Sequence, residues 1–510
     1  MTGRIWHVGS SSGAEDLPMQ RRNNRWARPN GRALAWLWQE AITGPRTPPS
    51  DAGPVRRRAR ASFGSPRLAG ASMVTMDQAA LDLAAPESRR AYRLGIANGI
   101  LFALGAAFVD PATVLPTFVS QLTDSDIAVG LISAIGNGGW FLPQLFVASY
   151  LHPRPHKRPL YVFAALLRGF GWVLTIPVVY FLAKRYPLPA LVGFFLGYSI
   201  SSFGGGLSGP AFLDIVAKTV PSRRLGRFFG HRQFWGGLAA IAAGILVRSI
   251  LGAQALPFPV GYCLLFCLAL VSFAPGWALF AMVREPPGDV GRAEPFLVFM
   301  RNAPRVVREH REFRLLLLNR VLVGAAAIAL PFYIVYCRRV LGVPESAVGT
   351  YLSIEMAGSV VAIPLWAHLN DHRGPRTLLV AVSALAVVVP AAALGASMLP
   401  LPAGLARVAF GLVFFGLAAA GSGGFIGATN HLLSIAPERT RTLYIGIQNT
   451  LFAVTTFLPL LGGLLVQLTS YQALFGLAGA LAAAGTLVLV RTSPAEPSQA
   501  AAGLYDKANI

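Results

Sequence analysis

The chain has 510 residues, is 54% hydrophobic and only 13% charged, and has a mean hydropathy of +0.54. A soluble domain carries about twice that charge, so most of this chain must face lipid. The net charge of +22 would point to nucleic acid in a soluble protein, but Lys and Arg collect in the cytoplasmic loops of membrane proteins, and no nucleic-acid partner is expected.

Residues 1–72 hold twelve arginines and no long apolar run. They read as a disordered extension without the apolar core of a secretory signal, and initiation at Met73 or Met76 would remove them. Residues 73–92 form a short cytoplasmic segment. From Arg93 onward, apolar runs long enough to cross roughly 30 Å of hydrocarbon predict helices at about 95–120, 126–150, 159–183, 188–213, 227–251 and 258–283. A second set follows at about 313–337, 346–368, 375–398, 402–430, 442–468 and 470–490. The fold class is therefore an all-α polytopic membrane protein, with twelve transmembrane helices in two six-helix bundles (93–283 and 315–490). The linker, 284–314, is polar and basic, and its amphipathic stretch near Phe296 to Val307 suits a membrane surface. Residues 491–510 form a tail. Cys263, Cys267 and Cys337 sit in or beside apolar runs and imply neither a disulfide framework nor a metal site.

The two halves carry a repeat. Asp214 to Gln233 returns 216 positions later as Asn430 to Asn449, which pairs Pro221 with Pro437, Arg223 with Arg439 and Gly230 with Gly446. Each copy has a glycine-rich apolar run, a basic loop and another apolar run. Asp214, Arg223 and Arg227 mark the first loop region; Arg439 and Arg441 mark the second. Glycines 204, 205, 206 and 209, and their counterparts 421, 423, 424 and 427, should let the fourth and tenth helices approach their neighbours closely and bend.

Basic residues gather on the side of the termini and the linker, whereas the other side holds only Lys184, Arg185, Arg248, Arg338 and Arg339. Both termini are therefore expected to be cytoplasmic, in a plasma or inner membrane.

An ionisable side chain deep in a span costs about 2.5–3.5 kcal/mol, so its presence suggests a site. Asp110, followed by Pro111, lies deep in the first helix, and Glu355 lies at a similar depth in the eighth. Arg168 lies near the middle of the third and can pair with Asp110. Arg320 and Arg407 sit nearer the ends and can snorkel. Structurally, Arg168 with Asp110 is a packing ion pair and Glu355 a hydrogen-bonded core acid. On the functional reading, Asp110, Glu355 or both exchange protons during transport. Asn98, Asn137, Trp140, Gln144 and Tyr333 are candidate cavity-lining residues, and Trp172, Tyr198, Gln233 and Asn449 add polar groups. Singly, most would serve as interhelical hydrogen bonds.

The stretch Ala367 to Arg376, AHLNDHRGPR, resembles the G-x-x-x-D-R-x-G-R-R loop of the major facilitator superfamily. It keeps Asp371, Gly374 and Arg376, has Ala367 for the first glycine and Pro375 for a basic residue, and falls between helices eight and nine, where that family carries its second copy. The first copy should lie near Leu151 to Arg158, LHPRPHKR, where the acid is missing. The resemblance implies alternating access, two bundles rocking about a central site, with the loop acid and arginine latching one face. It also implies that helices one, four, seven and ten line the cavity, which favours Asp110 over Glu355. The helix-five signature of drug exporters is not evident, and Arg284-Glu285-Pro286-Pro287 is only faintly similar to the sugar-porter motif.

The reading that results is a secondary active transporter of a small solute, proton-coupled and monomeric in the lipid bilayer, with no cofactor. A lipid or lysolipid flippase is the alternative on the same fold. A channel or a non-transporting receptor stands further off. A membrane-embedded enzyme would need His, Cys, Asp or Ser clustered within the spans, whereas the histidines from His152 onward read as loop or helix-end residues, so no catalytic residues are expected.

Overall fold

The structure is a computed structural model that describes residues 86–151, 154–288, 296–437 and 441–491. The extension 1–72 and most of the tail lie outside the described residues. Those described are helical, with no strand among them.

Ten helical stretches are long and apolar enough to cross a membrane. One of them, Ser346–Met398, has 53 residues, about 80 Å at 1.5 Å per residue, more than twice the hydrocarbon thickness. It divides at Gly374, whose φ of +82° and ψ of 164° are not helical and suit a residue without Cβ. Counting it twice and adding Asp126–Leu151 gives twelve crossings, six before the linker helix Phe296–Glu309 and six after it.

Three crossings are broken. The first consists of Pro86–Phe108 and Val114–Leu122, the seventh of Arg311–Ala325, a 3-10 turn at Ala326–Ala329 and Phe332–Arg339, and the eleventh of Arg441–Thr455 and Leu458–Leu468. Each break has a local cause. Pro111 and Pro331 lack the N–H that a continuing helix needs. At the third, Thr455 and Thr456 turn their hydroxyls back onto the carbonyls of Phe452 and Ala453 at 2.7 and 2.6 Å, and Pro459 follows. Hydropathy is blind to such breaks, because the residues around them are as apolar as the rest.

The remaining crossings are Arg158–Leu182, Pro187–Thr219, Leu225–Gly252 and Val260–Ala281 in the first half, and Ala403–Ile435 and Tyr471–Val490 in the second. Small residues set the close approaches. A Cβ on Gly206 would lie 2.5 Å from the Gly139 carbonyl, one on Gly204 3.0 Å from the Ala164 carbonyl, and one on Gly423 2.5 Å from Val382, whereas Gly421 has open space.

An even number of crossings puts the first and last described residues at one end, here the terminal end, with the far end opposite. The main apolar core runs continuously through both halves at the far end, from Phe118, Phe194 and Phe266 to Phe332, Tyr336, Phe410 and Phe475. At the terminal end, the second half keeps a separate core of Phe313, Leu316, Leu432, Tyr444 and Leu489, against which Ala303 of the linker helix packs. The halves are thus fused at the far end.

Polar contacts reinforce that fusion. Arg339 donates to Asp126 Oδ1 at 2.9 Å and to the Thr123 carbonyl at 3.1 Å. Gln467 Nε2 donates to Ser125 Oγ at 3.2 Å, Ser353 Oγ to the Ile241 carbonyl at 3.1 Å, and Gln121 Nε2 to Glu345.

Candidate functional site

Asp110 is buried in the gap between the two pieces of the first crossing. Its Oδ1 accepts the backbone N–H groups of Ala112 and Thr113 at 2.9 and 2.8 Å and the Thr113 hydroxyl at 2.8 Å. The carboxylate therefore satisfies donors that the Pro111 break leaves without helical partners. Sequence and site are linked directly here: the proline that breaks the helix creates the groups that hold the acid.

Glu355, on the eighth crossing, is also buried, and its Oε2 has no hydrogen-bond partner. It lies within electrostatic range of Asp110. One carboxylate from each half thus reaches the same region, and no Lys or Arg among the described residues is close enough to perturb either. Two acids so placed repel when both are ionised.

Arg168 is not paired with Asp110. Its guanidinium lies 4.9 Å from the Trp277 ring centroid, 5.2 Å from Phe102 and 5.8 Å from Phe273. Nη1 reaches Ser208 Oγ at 3.5 Å, and Nε is buried without a partner. The side chain runs across Gly204. Arg320 does not snorkel: its guanidinium lies 4.3 Å over the Phe452 ring, with Nε buried and unpartnered. Arg407 is exposed.

The lining candidates separate by environment. Asn98 is buried and donates to the Gly276 carbonyl at 2.8 Å, linking the first and sixth crossings. Tyr333 is buried and stacked on Phe475 at 5.0 Å. Asn137 and Gln144 are half-buried, and Trp140 lies partly exposed against Gly205.

In the loop after the eighth crossing, Asn370 links Asp371 (3.1 Å) to Asn430 (3.1 Å), and Arg376 donates to the Leu489 carbonyl at 3.0 Å. Gly374 turns the chain. In the first repeat loop, Asp214 pairs with Lys218, while Arg223 and Arg227 are exposed. Arg439 lies outside the described residues, and Arg441 begins a helix.

Sequence reasoning missed two groups. Glu285 supplies the acid absent from LHPRPHKR: its carboxylate accepts the backbone N–H groups of Lys157 (2.8 and 2.9 Å) and Arg158 (2.8 Å) and pairs with Lys218 at 3.0 Å. It caps the third crossing from 127 and 128 positions away, a distance no local motif spans. The second is Arg232. It lies on the fifth crossing with its guanidinium 4.4 Å over Phe212 and Nη1 buried without a partner. The 216-residue offset pairs it with Gln448, whose Oε1 is likewise buried and unpartnered, so the repeat itself held a signal for both positions.

A helical membrane protein of two six-crossing halves, with buried charges between its helices, defines a class, the major facilitator fold. Residues 315–504 match the profile of the Major Facilitator Superfamily, and the described chain has the fold of that superfamily's solved members. Among solved structures, the chain is similar to a bacterial homologue of the iron transporter ferroportin in an inward-facing state (14% identity, 79% of this chain and 98% of that one, TM-score 0.61). It is also similar to the nucleoside transporter NupG (13%, 79% and 99%, 0.60) and to the xylose transporter XylE from E. coli (16%, 80% and 100%, 0.57). No curated protein matches it.

Proposed function

We propose that the chain is a secondary active transporter of a small solute that works by alternating access coupled to protons, with its terminal end cytoplasmic. The observation that carries this reading is the buried pair of Asp110 and Glu355, contributed by opposite halves and within electrostatic range of each other. Rocking the halves changes the distance between these acids and so changes how readily the pair holds a proton. Fusion of the two halves at the far end supports an inward-facing state, and the basic loops at the terminal end support the orientation.

The test is solute flux in proteoliposomes under an imposed pH gradient, comparing the parent with Asp110→Asn and Glu355→Gln. Asparagine keeps an acceptor for Ala112 and Thr113, so the broken helix should survive while coupling is lost. Flux indifferent to the gradient in the parent would remove proton coupling. Unchanged coupling in both variants would remove the acids from the mechanism. A reporter fused within 284–314 that scored extracellular would reverse the orientation.

A flippase is the second reading. It is favoured by a groove of about 500 Å³ lined by Val147, Leu160, Phe163, Phe203 and Leu207 with Arg154, large enough for part of an acyl chain.

A further inference from the structure

Among the described residues, three guanidiniums within the crossings pack on aromatic rings, and none of the three is ion-paired with an acid. Arg168 and Arg232 lie within electrostatic range of the Tyr161 hydroxyl. Arg320 lies in the other half. Among the described residues, no carboxylate falls within electrostatic range of any of the three.

Their N–H groups are only partly filled: Arg168 Nη1 reaches Ser208 Oγ and Arg320 Nη1 the Gly424 carbonyl, each at 3.5 Å. Arg168 Nε, Arg232 Nη1 and Arg320 Nε are buried with no hydrogen-bond partner. What they have instead are ring faces: Trp277, Phe102 and Phe273 around Arg168, Phe212 beside Arg232, and Phe452 beside Arg320. A ring face offsets part of the desolvation of a cation but accepts no in-plane N–H bond.

A guanidinium cannot escape by losing its proton at physiological pH, and an uncompensated buried charge is among the most destabilising features a fold can carry. Each of the three side chains is half-buried and keeps one buried nitrogen without an acceptor, a shortfall that an anion from outside the chain would meet. The two buried acids do not serve. Asp110 is engaged by Ala112 and Thr113, and neither it nor Glu355 has an arginine in range.

We propose that the transported solute is a small organic anion, whose carboxylate or phosphate is held by Arg168 and Arg232 beside Tyr161. The fork of a guanidinium matches either oxyanion, and the surrounding rings favour an organic body over a bare inorganic ion. The acids and the arginines then divide the work, protons on one set and solute on the other. This inference rests on the carrier reading above and adds the class of substrate to it.

The test uses the full-length protein purified in detergent. Benzoate, succinate, glucose 6-phosphate and inorganic phosphate are titrated at fixed ionic strength, with uncharged xylose and uridine alongside, and the thermal midpoint is followed. At least one organic anion should raise it saturably. Arg168→Gln and Arg232→Gln should each weaken that binding about 10- to 100-fold, the range for losing a charge-assisted hydrogen bond. The carboxylates and the phosphates in the set separate the two oxyanions. Because either variant could misfold, phenylglyoxal modification of Arg168 and Arg232 is mapped by mass spectrometry in the parent protein, where the bound anion should protect both. If no organic anion shifts the midpoint or protects these arginines, or if inorganic phosphate alone does so, the proposal is overturned. Anion binding without flux in proteoliposomes sinks the carrier reading and leaves the site standing; gradient-driven flux of xylose or uridine with no anion effect does the reverse.

Discussion

Arg339 of the second half donates a 2.9 Å hydrogen bond to Asp126 of the first, across 213 positions of sequence. The same carboxylate accepts the Tyr471 hydroxyl at 3.4 Å, so two elements of one half converge on the first residue of the second crossing. Both partners are partly accessible, with side-chain exposures of 26% and 10%, and such pairs contribute about 0.2–1 kcal/mol. Asp126→Asn or Arg339→Gln should therefore shift the far-end-closed population by less than about fivefold. Spin labels at Lys184 and Leu399, both exposed at the far end, would report a longer component in the distance distribution. An unchanged distribution in both variants would remove the pair from the gate.

A second far-end pair should respond to pH. Burial lifts Glu345 above its ordinary value of 4.5, and Arg338 and then the Gln121 hydrogen bond pull it back in part. A raised carboxyl binds its proton more tightly in this state than in one where it is solvated. The sign follows from linkage: as pH rises from 4.5 through the raised value, the closed far end loses stability relative to an opened one. Acidification over that window should favour closure, and Glu345→Gln, which stays neutral, should abolish the dependence. Repeating the spin-label measurement across pH decides it; a slope of the same size in Glu345→Gln assigns the effect elsewhere.

The twelve crossings were legible because each needs some twenty apolar residues, a signal that survives any local irregularity. The breaks in the first, seventh and eleventh crossings were not, since a two- or three-residue interruption leaves hydropathy unchanged. Asp110 stood out because a carboxylate in an apolar run is costly wherever it points, yet nothing local revealed that it lies within electrostatic range of Glu355. Arg168 was legible as a buried cation, while its surroundings were not: a guanidinium among Phe102, Phe273 and Trp277 depends on how the first, third and sixth crossings pack. Glu285 escaped for the same reason, because its partners at Lys157 and Arg158 are near only in space.

Glu285 offers a test of that hidden link. Its side chain is 1% exposed and Lys218 15%, so Glu285→Ala would leave two helix-start N–H groups and one lysine without their acceptor. Lys218 keeps Asp214, which limits the loss to about 2–4 kcal/mol. Glu285→Gln keeps one acceptor oxygen and should lose less. Thermal unfolding in detergent should therefore rank parent, Gln and Ala in that order. Equal midpoints for all three would mean that the segment after the sixth crossing is not anchored through this carboxylate.

Closure of the far end also depends on two glycines that let backbones touch between halves. A Cβ on Gly349 would sit 2.2 Å from the Arg248 amide nitrogen and 2.3 Å from the Gly244 carbonyl, and one on Gly463 would sit 2.3 Å from the Asp126 carbonyl. All three neighbours are backbone atoms on the opposite half, so no side chain can rotate aside; the halves themselves must separate. Packing within each half is not touched, and Gly349→Ala and Gly463→Ala should fold normally while losing about 1–3 kcal/mol of far-end closure. That range corresponds to a population shift of roughly 5- to 150-fold, well beyond that expected for the Arg339–Asp126 pair. The Lys184 to Leu399 distance should lengthen in either variant, with the thermal midpoint little changed. A collapse of that midpoint at unchanged distance would instead place the glycines in the fold itself rather than in the gate.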